Sequence, residues 1–325
     1  MATIPEHLKA RFDPVYAAWL VASDPPVPEG HRATVEEMRE GFRRQVAISN
    51  GPLDERLVVE DVSLAGRDGH GIPARFYRHR GASGAQPACL FLHGGGWVLG
   101  DLDTHAGVCN DIAVATGLTV VAIDYRLSPE HVYPAAVHDT VDALRALIAD
   151  AGVHGIAAER LVISADSAGA SLALAATLTL RGEAASPRAV ALVYPGLGAD
   201  MDRPSFAEHA DVPGLTPELM RFFFVSYIGG ETLPDPLAAP LTVEDLSGLP
   251  PLFVSVAELD PLRDDGTDLA ARLDGLDAPV TLRVEPGLGH GYLWIRRRSE
   301  AAGEAFDALC EFLAEHARTS DGQAP

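Results

Sequence analysis

Residues 161–176, LVISADSAGASLALAA, pass from a short apolar run into small, helix-forming residues, with Ser167 at the junction. Two chemistries fit a serine there. Its hydroxyl can cap the helix by accepting a free N–H of the first turn. It can also be a nucleophile on a sharp strand–turn–helix elbow, which needs small residues two before and two after because strand and helix pass closely. Ala165 and Gly169 occupy those flanks, so the pentapeptide reads Ala-x-Ser-x-Gly. Taken alone, the pentapeptide leaves both readings open.

Residues 91–97, FLHGGGW, follow another apolar run. Successive glycines reach backbone angles closed to other residues and can turn several N–H groups toward one point, as stabilisation of an oxyanion requires. A flexible turn is the plainer alternative, but the place of these glycines after a strand and upstream of Ser167 favours the oxyanion reading.

A hydrolytic serine needs a base and a group to orient it, in the chain order Ser, acid, His for this strand–turn–helix arrangement. Of the histidines, His290 and His316 lie beyond the last candidate acid; His316 falls in a terminal helix, whereas His290 sits in the loop GLGHGY. For the acid, AELDPLRDDG places Asp260 directly after a strand and before Pro261, while Asp264 and Asp265 lie a turn further along and are expected to point elsewhere. Asp260 alone would read as a helix cap.

Placing these groups requires strands that end beside one another. Short β-rich runs at 57–64, 72–77, 88–92, 118–123, 161–164, 190–194, 252–256 and 280–284 alternate, in the later part, with helical stretches at 104–116, 135–150, 167–180 and 262–273, before a last helix at 299–317. Such alternation predicts an α/β fold with a mostly parallel eight-stranded sheet flanked by helices, whose sites form at the carboxyl ends of strands. Residues 1–50 carry apolar side chains at three- and four-residue steps (Leu8, Phe12, Val15, Tyr16, Trp19, Leu20; then Val35, Met38, Phe42, Val46), which predicts two amphipathic helices around a Pro-rich turn at 25–28. An insertion at 196–248, with a helix expected at 217–228 bearing Phe222, Phe223 and Phe224, interrupts the alternation. Together the two segments are expected to form a helical cap over a catalytic domain of 51–195 and 249–318, with a disordered tail at 319–325.

Composition narrows the partners. The chain has 325 residues, 47% hydrophobic and 22% charged, with a formal net charge of −21, and Lys9 is its only lysine. That excess of acid disfavours nucleic acid and anionic membranes, which are bound through Lys and Arg. Cys89, Cys109 and Cys310 are widely spaced and fit neither a disulfide framework nor a zinc site, so the reducing cytoplasm is expected. No run reaches the length of a membrane span, and the acidic residues before the apolar stretch at 15–22, with Pro25-Pro26 after it, argue against a secretory signal.

In order and spacing, HGGGW, DYRLSPEHVYPAA, ADSAGA, DPLRDDG and GHGY resemble the hormone-sensitive-lipase-like branch of the α/β-hydrolases, the bacterial family IV esterases, over about residues 57–315. The resemblance implies a triad of Ser167, Asp260 and His290, an oxyanion hole of the N–H groups of Gly95, Gly96 and Ala168, a helical cap, and often a homodimer. Ala165 and Ala170 depart from the usual glycines of the elbow, and Asp265 stands where Glu is common. Trp97, Phe222 and Phe223 are expected to border the substrate, whereas His93 and the stretch 124–136 are read as structural. The implied activity is hydrolysis of small neutral carboxylic esters through an acyl-enzyme, without metal or organic cofactor. Acyl transfer from the same intermediate and a non-catalytic receptor on the same fold are the alternatives.

Overall fold

A computed structural model describes residues 4–23, 33–198, 200–276 and 278–318; the Pro-rich turn expected at 25–28 and the tail at 319–325 lie outside these. In chain order the elements are α1 (Glu6–Lys9), α2 (Pro14–Ser23), α3 (Val35–Asn50), β1 (Leu57–Ala65), β2 (Gly71–His79), β3 (Gln86–Leu92), α4 (Ala106–Thr116), β4 (Thr119–Ile123), α5 (Ala135–Ala149), α6 (Ala151–His154) and β5 (Ile156–Asp166). There follow α7 (Ala168–Thr179), β6 (Val190–Val193), α8 (Pro204–Glu208), α9 (Pro217–Ile228), β7 (Leu252–Leu259), α10 (Arg263–Leu273), β8 (Val280–Gly289) and α11 (Glu300–His316).

The eight strands form one sheet in the order β1-β2-β4-β3-β5-β6-β7-β8. β1 pairs antiparallel with β2, and β2 with β4; the pairs from β4 onward are parallel. All five residues of β4 and all four of β6 are buried, as expected of strands covered on both faces. On one face lie α5, α7 and α10, through Val141, Leu144, Leu172, Leu174, Leu269 and Leu273; on the other α4 and α11 pack through Val108, Ile112, Leu309 and Leu313.

The first helical segment differs from expectation. The apolar periodicity over Leu8–Leu20 is not one helix but two, α1 and α2, because Pro14 has no N–H to continue the first and Asp13 instead opens the second by accepting the N–H of Tyr16 at 2.8 Å. α3 starts on a capping box of Thr34 and Glu37. The insertion contributes α8 and α9 and, among its described residues, no strand.

Candidate active site

β3, β5, β7 and β8 end at one edge of the sheet, with β6 between β5 and β7; Ser167, Asp260 and His290 directly follow β5, β7 and β8, and the glycine loop follows β3 after His93. β5 stops at Asp166, and Ser167 takes φ 52° and ψ −121° before α7 begins. A serine in that left-handed region is strained, and such strain is what an elbow demands. The two readings of Ser167 separate here. Its side chain makes no capping bond to α7, and its Oγ lies 2.9 Å from Nε2 of His290. The elbow's small residues are explained by contact. A Cβ at Gly169 would sit 2.2 Å from the carbonyl oxygen of Leu92, while Ala165 and Ala170 are accommodated with no exposure at all.

His290 follows β8, and its Nδ1 lies 2.8 Å from Oδ2 of Asp260, which follows β7. A carboxylate can only accept, so Nδ1 carries the proton and Nε2 offers its lone pair to the Ser167 hydroxyl. Asp260 is fully buried, and its other oxygen, Oδ1, accepts the N–H of Leu262 at 2.9 Å. Asp264 and Asp265 do point elsewhere. Asp264 accepts the N–H of Ser205, and Asp265 those of Leu197 and Gly198, at the root of the insertion. Burial pushes the Asp265 carboxyl up to about 6. His316 bonds the Phe312 carbonyl within α11.

The glycine loop is held from behind. Gly94 donates its N–H to Oδ1 of the buried Asp166 at 2.9 Å, linking the loop to the residue before Ser167. Burial alone would raise the Asp166 carboxyl, but His105, with Nε2 at 3.4 Å, and the Gly94 N–H hold it below the ordinary carboxylate range. Gly95 (φ 126°) and Gly96 (φ 62°) turn through angles that favour glycine. Among the described residues, no turn or loop hydrogen bond takes the N–H of Gly95, Gly96 or Ala168. All three residues line the same cavity as Ser167.

The residues read as structural behave so. His93 is buried between Tyr125 and His105, with Nδ1 on the Gly94 carbonyl at 2.8 Å. Tyr125 bonds the His93 carbonyl, Arg126 pairs with Asp139, and Glu130 pairs with Arg39 of α3.

A cavity of about 350 Å³ opens onto Ser167 and His290, walled by α2, α3 and the insertion through Tyr16, Leu20, Phe42, Leu215, Leu219 and Phe223. Trp97 lines it too and is itself packed, stacked on Tyr227 at 4.4 Å. Phe223 lies against Gly96, where a Cβ would meet its ring at 2.3 Å. Phe222 is a correction: it is 38% exposed and does not line the cavity. Consecutive helical residues step by about 100°, so three phenylalanines in a row cannot share a face; Phe224 packs edge-on to Trp97. Tyr16, Met38 and Phe42 were expected in the cap helices but not singled out as pocket residues, because apolar side chains on a short helix carry no mark that separates pocket from core.

Comparison with known proteins agrees with this geometry. Residues 89–294 match the family described as alpha/beta hydrolase fold. An ethyl acetate hydrolase of Pseudomonas putida is 36% identical over 88% of this chain and 92% of its own. A carboxylesterase, NlhH, of Mycobacterium tuberculosis is 39% identical over 73% of this chain and 77% of its own. The solved esterase of Pyrobaculum calidifontis superposes with a TM-score of 0.84 at 31% identity, covering 95% of this chain and all of the other. With the elbow, the glycine loop and the strand-end acid and histidine in place, the chain belongs to the α/β-hydrolases, in their hormone-sensitive-lipase-like branch.

Proposed function

We propose that the protein is a serine carboxylesterase in which Ser167 is the nucleophile, His290 the general base and acid, and Asp260 the group that orients and charge-stabilises the imidazole. The observation that carries the reading is the unbroken hydrogen-bond chain from Ser167 Oγ to His290 and on to Asp260, at 2.9 and 2.8 Å. Ser167 Oγ adds to the ester carbonyl carbon while its proton passes to Nε2. The carbonyl oxygen gains the negative charge and is received by the N–H groups of Gly95, Gly96 and Ala168. On collapse the proton on Nε2 goes to the leaving alkoxide, and an acyl-Ser167 ester remains. Water then adds to that ester, giving its proton to His290, and the acid departs as Ser167 recovers its proton.

The apolar wall of the cavity and the net charge of −21 favour small neutral esters over anionic ones. In this reading residues 1–50 and 196–248 act as the cap over a catalytic domain of 51–195 and 249–318. The free, buried state of Cys89, Cys109 and Cys310 accords with a cytoplasmic setting. Initial rates on p-nitrophenyl acetate and butyrate, measured beside Ser167→Ala purified from an esterase-deficient host, test the proposal. Turnover should be present in the first protein and absent in the second, and equal rates in both would refute it.

A further inference from the structure

We infer that Tyr16 of α2 is a positioning residue for His290, so that the first helical segment helps set the geometry of the general base as well as covering the cavity; this rests on the esterase reading above. Tyr16 Oη donates to the backbone carbonyl of His290 at 2.8 Å, across 274 positions of sequence. The phenol is buried, and burial, reinforced by the negative charge of Asp260, holds its pKa well above the ordinary tyrosine value. It therefore stays a neutral donor at any working pH.

The loop is shaped to receive it. A Cβ at Gly289 would lie 2.6 Å from Tyr16 Oη, so the residue before His290 must be glycine for the hydroxyl to arrive. Two residues earlier, the Gly287 carbonyl accepts the N–H of Asp13 at 2.9 Å, and the Gly287 N–H goes to Glu258, which also pairs with Arg11. On the far side of His290, a Cβ at Gly291 would come within 3.6 Å of the Trp19 ring. Residues 11–16 thus hold the His290 loop before and at the histidine, and Trp19 lies near its far side. Asp13 serves both ends of this clamp, since its Oδ1 also accepts the Tyr16 N–H. The Tyr16 ring is stacked on Phe12 at 5.6 Å and lines the cavity, so substrate would lie against the same side chain that holds the base.

Tyr16→Phe removes the one oxygen and leaves the ring. Steady-state kinetics on p-nitrophenyl acetate and the proton NMR resonance of the His290 Nδ1–H, shared with Asp260, are the two readouts. A base held less firmly should lower kcat by about tenfold with KM within about twofold, because orientation rather than binding is lost. The Nδ1–H resonance should broaden through faster exchange with water. Phe12→Leu, which disturbs the ring stack but keeps the hydroxyl, should leave both close to the starting protein. The inference is overturned if folded Tyr16→Phe keeps kcat and the resonance unchanged, or if Phe12→Leu changes them equally. Should Tyr16→Phe not fold, Asp13→Ala, which removes the side-chain acceptor of the Tyr16 N–H and so loosens the start of α2 while the backbone bond to Gly287 remains, carries the same test. If the starting protein turns over no ester, the esterase reading falls, while the resonance still decides the role of Tyr16.

Discussion

Asp260, Asp264 and Asp265 stand within six residues of one another, and their surroundings divide the work among them. Asp260 faces His290, whereas Asp264 and Asp265 tie the insertion to the start of α10 through backbone N–H groups. Asp260→Asn leaves the shape but loses the charge and offers a donor where only an acceptor suits, so turnover should fall by on the order of 10⁴, as in serine proteases. Asp264→Asn should keep kcat within a few-fold. Ester hydrolysis by both purified variants checks the contrast, and comparable losses would move the acid's role away from Asp260. His93 gives a prediction on stability. Burial, with His105 as the next cause, pushes its pKa down to about 4. A histidine depressed on folding contributes stability above its unfolded value of about 6.5, lost as pH falls through the folded value. From pH 7 to pH 5 this amounts to roughly 2 kcal/mol, by the linkage between the two values. His93→Asn keeps a donor for the Gly94 carbonyl without titrating, so its urea midpoint should fall less over that interval than that of the starting protein. Identical slopes in the two proteins would contradict the assignment.

At the scale of elements, the central parallel strands could be read from the chain because a sheet covered on both faces leaves a blunt signature of buried Val, Ile, Leu and Ala, whereas the part-exposed edge strands β1 and β8 show only as runs rich in β-forming residues. Their ends were harder to place. β5 reaches back to Ile156 through Glu159 and Arg160, and β8 runs on through Pro286 and Gly287. Those residues look like strand breakers and sit where the register shifts, between Ile156 and Leu161 on β5 and between Glu285 and Gly289 on β8, with pairing resumed on either side. Ser167 and Asp260 were legible because each falls close after an apolar run, and His290 because it sits in a glycine-flanked loop beyond one, in the chain order that strand-end chemistry requires. Phe222 and Tyr16 were not, for opposite reasons: a triple phenylalanine overstates how much of a helix faces one way, and a tyrosine in an apolar helix conceals a hydrogen bond made far along the chain. The same scale explains Asp166. Nothing in ADSAGA distinguishes it from a cap, yet its bond to Gly94 joins the Ser167 elbow and the glycine loop into one unit.

For the whole molecule, the two helical segments and the strand ends enclose a cavity of about 350 Å³ with a mostly apolar wall. Each methylene that still fits can add up to about 0.8 kcal/mol, or roughly fourfold in kcat/KM. Selectivity on p-nitrophenyl esters should therefore climb from acetate and then decline, with its maximum at short to medium acyl chains. Removal of residues 1–50 takes away α2 and α3, and with them Tyr16 and one wall of the cavity. The truncated protein should lose solubility and activity on small esters although Ser167, Asp260 and His290 remain. Steadily rising kcat/KM out to long chains, or unaltered behaviour on truncation, would contradict the enclosure.

The claim on which everything else depends is that Ser167 becomes acylated, and covalent labelling reads it without a choice of natural substrate. The protein is incubated with a fluorophosphonate, digested, and the modified peptide located by mass spectrometry, beside Ser167→Ala and Asp260→Asn. A single adduct on Ser167, slow labelling of Asp260→Asn and none of Ser167→Ala are expected. Stoichiometric labelling of Ser167→Ala, or an adduct on another residue of the starting protein that abolishes ester hydrolysis, would contradict it.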